Sequence, residues 1–403
     1  MTAVVPETNT PGTTPTVLAL VPFYLPAYKA GGCVRSVSTI VSALSGSCRF
    51  IIVCRDRDLG DQRAFPDVAP NQWNEVGAAR VCYIPPGVSG MRSLYCLLKD
   101  AKWDVLYLNS FFSMVFTLFP LALQRVGLLR HAPVLLAVRG ELHEGALAIK
   151  RWRKIGYRFM ARCLGLYNRV AWHVAGPMER ADLCTAFLKQ RRNADIVECG
   201  DAVGELECFM PEETIDKQAG ELRVVFLSRI TRNKNLAYAL RLMHGIAGRV
   251  VLDIYGPQED MAYWAECESL MRSLPRNIVT RYCGVVGPRD VDATFARYHL
   301  FLFPSAGESF GHVIREAICA GCPVMTSDRT PWLLDQARAG WCIPLSAPDQ
   351  FCTELQRLVW MDGAEYAAIR NAAMQLGELS VAVAKRNSEE LAVAFHQLAT
   401  MRR

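Results

Sequence analysis

Along the first half of the chain, short uncharged runs alternate with longer stretches of helical spacing. TVLALVPFY, FIIVC, VLYLN, VLLAV and VAWHVAG read as strands, and residues 36–44 place their apolar side chains at helical intervals. The second half repeats the design. VVFLSR, VVLDIYG, IVTRYCG, HLFLFPS and CPVMTS read as strands, with helices expected over residues 236–246, 259–274 and 311–320. Strands separated by helices predict parallel sheets covered on both faces, so the expected fold is α/β, with two doubly wound domains. Residues 200–221 are acidic, contain Gly and Pro and keep no period, which puts the join near residue 205. The expected units are therefore a flexible tail over 1–16, an N-terminal Rossmann-like domain over 17–205, a C-terminal Rossmann-like domain over 206–380, and a C-terminal helix over 381–403 that packs back on the first domain. Open α/β sheets bind ligands at the carboxyl ends of their strands, so a cleft between the two domains is where chemistry is to be sought.

Composition narrows the class without naming it. A chain of 403 residues that is 21% charged and 9% aromatic is neither mainly disordered nor a low-complexity array. The run from Val105 to Gln124 has no charge and is long enough to cross a bilayer. Asn109, Ser110, Ser113 and Pro120 interrupt it, which favours a buried strand followed by a buried helix over a membrane span. The first sixteen residues carry Thr and Pro where a targeting segment has a basic and then an apolar region, so they read as neither signal peptide nor anchor. Fifteen cysteines, scattered singly through apolar stretches such as those around Cys33, Cys54, Cys82, Cys163 and Cys283, read as reduced, buried thiols of a cytoplasmic protein. Cys319 and Cys322 in CAGC have half of a zinc spacing, but no second pair follows, and they are expected to be packing residues, with no metal site.

Charge is unevenly placed. Residues 1–200 hold 24 Lys plus Arg against 14 Asp plus Glu, a net of +10, whereas residues 201–403 hold 21 against 25, a net of −4. Between Gly145 and Met178 lie Lys150, Arg151, Arg153, Lys154, Arg158, Arg162 and Arg169 with no acidic residue, interleaved with Ile155, Phe159 and Leu166. That pattern suits an anionic membrane surface; a solvated helix face is the plainer alternative, and nucleic acid is not expected because no recognition motif accompanies it.

The densest chemistry follows the strand HLFLFPS, in PSAGESFGHVIREAICAGCPV. Glu308 precedes a helix that starts near Gly311, and Glu316 stands inside it. The opening N–H groups of a helix have no internal partner and favour anions or sugar oxygens. Two carboxylates bracketing such an end are suited to vicinal hydroxyls on either side of a phosphate bridge, the alternative being a surface helix with incidental glutamates. Arg229, at the end of VVFLSR, and Lys234 in ITRNKN place two cations at a strand terminus, as a diphosphate requires. Gly31 and Gly32 precede a helix in LPAYKAGGCVRSV and allow close backbone approach.

This E-x7-E block, preceded by Pro304-Ser305 and followed by Gly321-x-Pro323-Val324, resembles the retaining nucleotide-sugar glycosyltransferases of family 4, which have the GT-B fold. FYLPAYKAGG, DRDLGD, LNSFFS, RGEL and SDRTPW look like a subset acting in bacterial surface polysaccharide or exopolysaccharide assembly. The resemblance implies a hexosyltransferase using a UDP- or GDP-linked sugar as co-substrate, without cofactor or metal. It implies that Arg229 and Lys234 hold the leaving diphosphate, that Glu308 holds donor-sugar hydroxyls, and that Glu316 clasps the ribose. Ser309, Phe310, Gly311 and His312 would line the donor site, with the base against Gly284 and Val285. Gly31 and Gly32 would meet phosphate or acceptor. Where relatives carry a sugar-contacting His, this chain has Arg139, Gly140 and Glu141; Arg139 and Glu141 become acceptor candidates, with His143 and His173 nearby. The basic first half points to a lipid-linked oligosaccharide acceptor and peripheral attachment to the inner face of the cytoplasmic membrane. Three other readings stand beside this one: a sugar-nucleotide epimerase of the same fold, a metal-dependent transferase using the D-x-D of Asp56 and Asp58, and a noncatalytic relative acting as an assembly partner, against which Glu308, Glu316, Arg229 and Lys234 argue.

Overall fold

The strand VLAL is buried on both faces, and the same holds for VLYLN, VLLA and VAWHV, because helices cover each side of a largely parallel sheet. The computed structural model of the protein describes residues 14–148, 151–188, 194–200, 215–287, 289–308 and 310–401. The expected join at 205/206, most of the N-terminal tail, Lys150 and Ser309 lie outside them. The first sheet contains β1 (Thr16–Leu20), β2 (Arg49–Arg55), β3 (Trp73–Val76), β4 (Ala79–Ile84), β5 (Val105–Asn109), β6 (Val134–Ala137), β7 (Val170–Val174) and β8 (Ile196–Glu198). Their spatial order is β3-β4-β2-β1-β5-β6-β7-β8, parallel except for β3 against β4. Its helices are α1 (Gly32–Leu44), α2 (Gly87–Asp100), α3 (Phe119–Arg125), α4 (Glu144–Ala148), α5 (Arg151–Cys163) and α6 (Pro177–Leu183). The uncharged run resolves as β5, a π-helical turn at Met114–Leu118 and the short α3, with Thr117 and Gln124 buried. Among the described residues no helix is long and apolar enough to cross a membrane.

The second sheet is wholly parallel. It contains β9 (Glu221–Leu227), β10 (Arg249–Tyr255), β11 (Ile278–Tyr282), β12 (Leu300–Phe303), β13 (Val324–Ser327) and β14 (Gly340–Ile343), in the order β11-β10-β9-β12-β13-β14. Its helices are α7 (Leu236–Leu242), α8 (Met261–Ser273), α9 (Val291–Phe295), α10 (His312–Cys319), α11 (Pro348–Trp360) and α12 (Gly363–Thr400). The expected helix over 236–246 stops at Leu242 and tightens into a 3-10 turn at Met243–Gly245. Four strands had no signal in the pattern: β3 and β8 are short and half-exposed, β4 is broken by Arg80, and β14 opens on a glycine.

The C-terminal helix begins at Gly363, so position 381 falls inside it. Its first half buries Tyr366 and Ala373 in the core of the second domain, where Gly377 lies so close to Cys319 that a Cβ there would come within 2.9 Å of the Cys319 Cα. Its second half buries Leu391 and Phe395 in the core of the first. The Phe395 ring stands edge-on to Phe50 and Tyr107, at centroid distances of 6.1 and 5.3 Å. One helix therefore crosses both domains. Phe395→Ala removes that anchor, and chemical denaturation is expected to show a loss of about 3–5 kcal/mol.

Candidate functional site

In each sheet the chain winds outward one way and then the other from its first strand, leaving a gap at the strand carboxyl ends. The gaps lie between β1 and β5, and between β9 and β12. The loop after β9 carries Arg229 and Lys234, and the loop after β12 carries Glu308. Backbone and side-chain bonds knit the two together: Ala306 N donates to Asn233 O (2.8 Å), Asn235 Nδ2 to Pro304 O (3.0 Å) and Asn233 Nδ2 to Gly307 O (3.3 Å). The ammonium of Lys234 rests on Glu308 Oε1 at 2.5 Å, and Ser305 Oγ donates to the same oxygen at 2.6 Å. Arg229 pairs with Glu259 (3.2 Å).

Gly311 precedes α10, so the first amides of that helix open beside Glu308. Phe310 carries its carbonyl to Trp332 Nε1 (2.6 Å), which fixes the loop from behind. Glu316 is buried on α10 and forms an ion pair with Arg35, which comes from α1 of the other domain. Burial pushes its carboxyl up to about 7; Asp292 on α9 adds to the push, while Arg35 and Arg315 oppose it.

The first domain closes over these loops. Gly31 has φ 63°, a left-handed conformation that suits glycine, and a Cβ there would stand 3.3 Å from Arg229 Nε. Gly32 lies next to the His312 ring, and Ser36 Oγ is bonded to His312 Nε2 (2.9 Å). His143 packs on Gly307, where a Cβ would come within 2.8 Å of its ring. Its Nδ1 is held by Asp182 (3.1 Å), and its buried Nε2 has no hydrogen-bond partner among the described residues. So Gly31, Gly32, Arg229, Lys234, Glu308, Phe310, Gly311, His312 and Glu316 are brought together, with His143 at the same opening. Gly284 and Val285 follow β11, further along the sheet; Gly284 O accepts from Gly256 N (2.8 Å) and Val285 is exposed.

Three expected residues play other parts. Glu141 is turned inward, accepting from Ser110 Oγ (2.8 Å), Phe111 N (2.7 Å) and Phe112 N (2.9 Å), so it shapes the loop after β5 and is not presented to an acceptor. Burial raises its carboxyl and those three bonds pull it back. Arg139 donates to Asn109 Oδ1 (3.1 Å) and Tyr107 OH (3.0 Å). His173 is buried between Tyr107 OH and Cys199 O, both at 2.9 Å, and serves the core.

The D-x-D pair does not fit a metal. Asp58 accepts from Tyr28 N (2.8 Å), Lys29 N (3.0 Å) and Leu59 N (2.7 Å), while Asp56 pairs with Arg57 (2.8 Å). These buried carboxylates are engaged by protein donors, and Asp58 pins the turn that leads into Gly31. Among the described residues no group of three or more His, Cys, Asp or Glu is placed to hold a metal ion. Arg35, Ser36 and the framing role of Asp58 had not been singled out. Arg35 stood four residues after Gly31, on the same helix face, which was the available signal.

With this geometry in place, a family model matches within the second domain, and solved structures match along most of the chain. Residues 221–360 match the family described as Glycosyl transferases group 1. The GtfA subunit of a UDP-N-acetylglucosamine–peptide N-acetylglucosaminyltransferase from Streptococcus agalactiae is 23% identical over 154 residues, which are 36% of this chain and 29% of that one. The chain thus matches less than a third of that relative. Sucrose-phosphate synthase from Thermosynechococcus elongatus superimposes with a TM-score of 0.68 at 16% identity, covering 96% of this chain and 98% of that one. HepE of Anabaena, solved in complex with UDP-glucose, does so at 0.66 and 14%, covering 94% and 100%. WaaG, a glycosyltransferase involved in lipopolysaccharide biosynthesis, does so at 0.65 and 15%, covering 93% and 98%. The fold is accordingly the α/β, GT-B arrangement of these glycosyltransferases, and its second half carries a group 1 glycosyl transferase domain.

Proposed function

We propose that the protein is a retaining glycosyltransferase that moves a sugar from a nucleoside diphosphate donor, UDP- or GDP-linked, to a lipid-linked saccharide in bacterial polysaccharide assembly. The observation that carries this is the meeting of Arg229, Lys234 and Glu308 at the β9/β12 gap, capped by the start of α10 and faced by Gly31. Departure of a diphosphate leaves an oxocarbenium-like sugar, so catalysis needs positive charge on the leaving group and a fixed acceptor. Arg229, Lys234 and the α10 amides supply the first. Glu308 accepts hydroxyls of the donor sugar, and Glu316 accepts the ribose diol. His143, held by Asp182 with Nε2 at Gly307, lies where a donor-sugar hydroxyl would reach it. The scheme assigns no nucleophile among the described residues: the acceptor attacks from the leaving-group face and its proton passes to the departing phosphate. Neither a metal nor a cofactor takes part in this scheme.

Calorimetry with UDP- and GDP-sugars in EDTA tests the donor site. One nucleotide should bind without metal, and Glu316→Ala should abolish that binding. Glu308→Ala should bind the donor yet lose about 10²–10³-fold in turnover. Binding that needs Mn²⁺ or ignores Glu316 would sink the assignment. An altered nucleotide sugar released without any acceptor would replace it with the epimerase reading, and an inverted anomer by NMR would remove retention.

A membrane-facing acceptor is supported by α5. Trp152 and Phe159, seven residues apart on one face, are 81% and 70% exposed, with Arg151 and Arg153 exposed alongside. Lys154, Arg158 and Arg162 instead donate to protein carbonyls, so only part of the basic stretch is available. Two aromatics beside cations suit the headgroup region of an anionic bilayer on the inner face of the cytoplasmic membrane. The Trp152→Ala/Phe159→Ala double variant should lower sedimentation with phosphatidylglycerol vesicles about tenfold. Equal sedimentation of both proteins would remove the surface role of α5.

A further inference from the structure

Helix α1 reaches the second domain through one face. Gly31 lies against Arg229, Arg35 one turn later pairs with Glu316, and Ser36 is bonded to His312. The partners differ in freedom: the Arg35 side chain is 38% exposed, whereas that of Glu316 is 9% exposed. The arginine can swing into solvent and the carboxylate cannot. A ribose diol engages a carboxylate through both oxygens, and a guanidinium on Glu316 Oε1 occupies the lone pairs that one of those hydroxyls would need.

We propose that Arg35 belongs to the donor site: it holds the Glu316 carboxylate until the ribose of an entering nucleoside diphosphate displaces it, and it returns when the nucleotide leaves. This rests on the reading of Glu316 as the ribose acceptor. Donor entry and release of α1 from α10 are then one event. A buried carboxylate stripped of its cation would be costly, so Arg35 stays in place until the nucleotide substitutes hydroxyl donors for it. The arginine is a competitor of the ligand and makes one of the cross-domain contacts, and Ser36–His312 aligns the two helices as that contact re-forms.

The test is calorimetry of UDP and GDP, and of their 2′,3′-dideoxy forms, on wild type, Arg35→Ala, Arg35→Gln and Glu316→Ala, with thermal unfolding confirming that each variant is folded. The expected result is that both Arg35 variants bind the better nucleotide about tenfold more tightly, as when a population blocked in the free protein is released. Its dideoxy form should bind wild type and Arg35 variants alike. Should the Ala variant fail to fold, the Gln variant decides, since it keeps most of the side-chain stem. Weaker or unchanged binding in the Arg35 variants, with Glu316→Ala still damaging, would overturn the competition while leaving the donor site intact. Tightening that extends to dideoxy nucleotides would overturn it as well, because no ribose contact would then be contested. Unchanged binding in Glu316→Ala would instead remove the ribose assignment beneath it.

Discussion

Both sheets wind outward in two directions from their first strand, and the gap that this leaves beside β1 and beside β9 is the constraint on which the site depends. Crossover helices cover a parallel sheet everywhere except where the winding reverses. Loops leaving the neighbouring strands at that point are close together whatever their sequence separation. That is why Lys234 and Glu308, seventy-four residues apart, share an ion pair, and why the Gly31 loop of the other sheet can rest on Arg229. The residues supply chemistry, and the topology supplies their meeting.

Charge inside the cleft is balanced before any ligand arrives. Lys234 holds Glu308, Arg229 holds Glu259, and Arg35 holds Glu316. Burial makes an unpaired charge expensive, so each group of the proposed donor site has a protein partner of opposite sign. A ligand that enters must replace those partners in kind. A nucleotide sugar offers phosphate oxygens to the cations and hydroxyl hydrogens to the carboxylates, along one connected molecule. The alternation of cation and carboxylate around the gap thus matches the alternation of acceptors and donors along such a donor, which is a stronger argument than the presence of either residue type alone.

The sequence was most legible where a strand is buried on both faces. VLYLN and VLLA read as strands because covering helices exclude polar residues from them, whereas the antiparallel edge WNEV has no such pressure and gives no pattern. In the cleft, Arg229, Lys234, Glu308 and Glu316 were visible because they stand at strand ends and helix starts, positions that local spacing marks. Glu141 stood at an equivalent strand end and was misread, since its three donors, Ser110 and the amides of Phe111 and Phe112, lie some thirty residues away. The partners of the D-x-D were hidden for the same reason, with Asp58 held by amides at Tyr28 and Lys29. Local spacing shows which groups are available; which of them are already satisfied is a property of contacts distant in the chain.

The placement of α10 ties the site to the architecture as a whole. Its first turn carries His312, bonded to Ser36 of the other domain, and its fifth residue, Glu316, meets Arg35. Its last residue, Cys319, packs on Gly377 of α12 so tightly that no side chain fits between them. From that contact α12 runs on to Leu391 and Phe395 in the first domain's core. A helix of eight residues is thereby linked to the first domain twice, through side-chain polar contacts at one end and through a continuous helix at the other. The two links differ in kind. The packing on α12 is apolar and uses no group of the proposed donor site, while the Arg35 contact is made to Glu316, a residue of that site. The α1 link thus runs through the groups proposed to meet the donor, and the α12 link runs from one apolar core to the other.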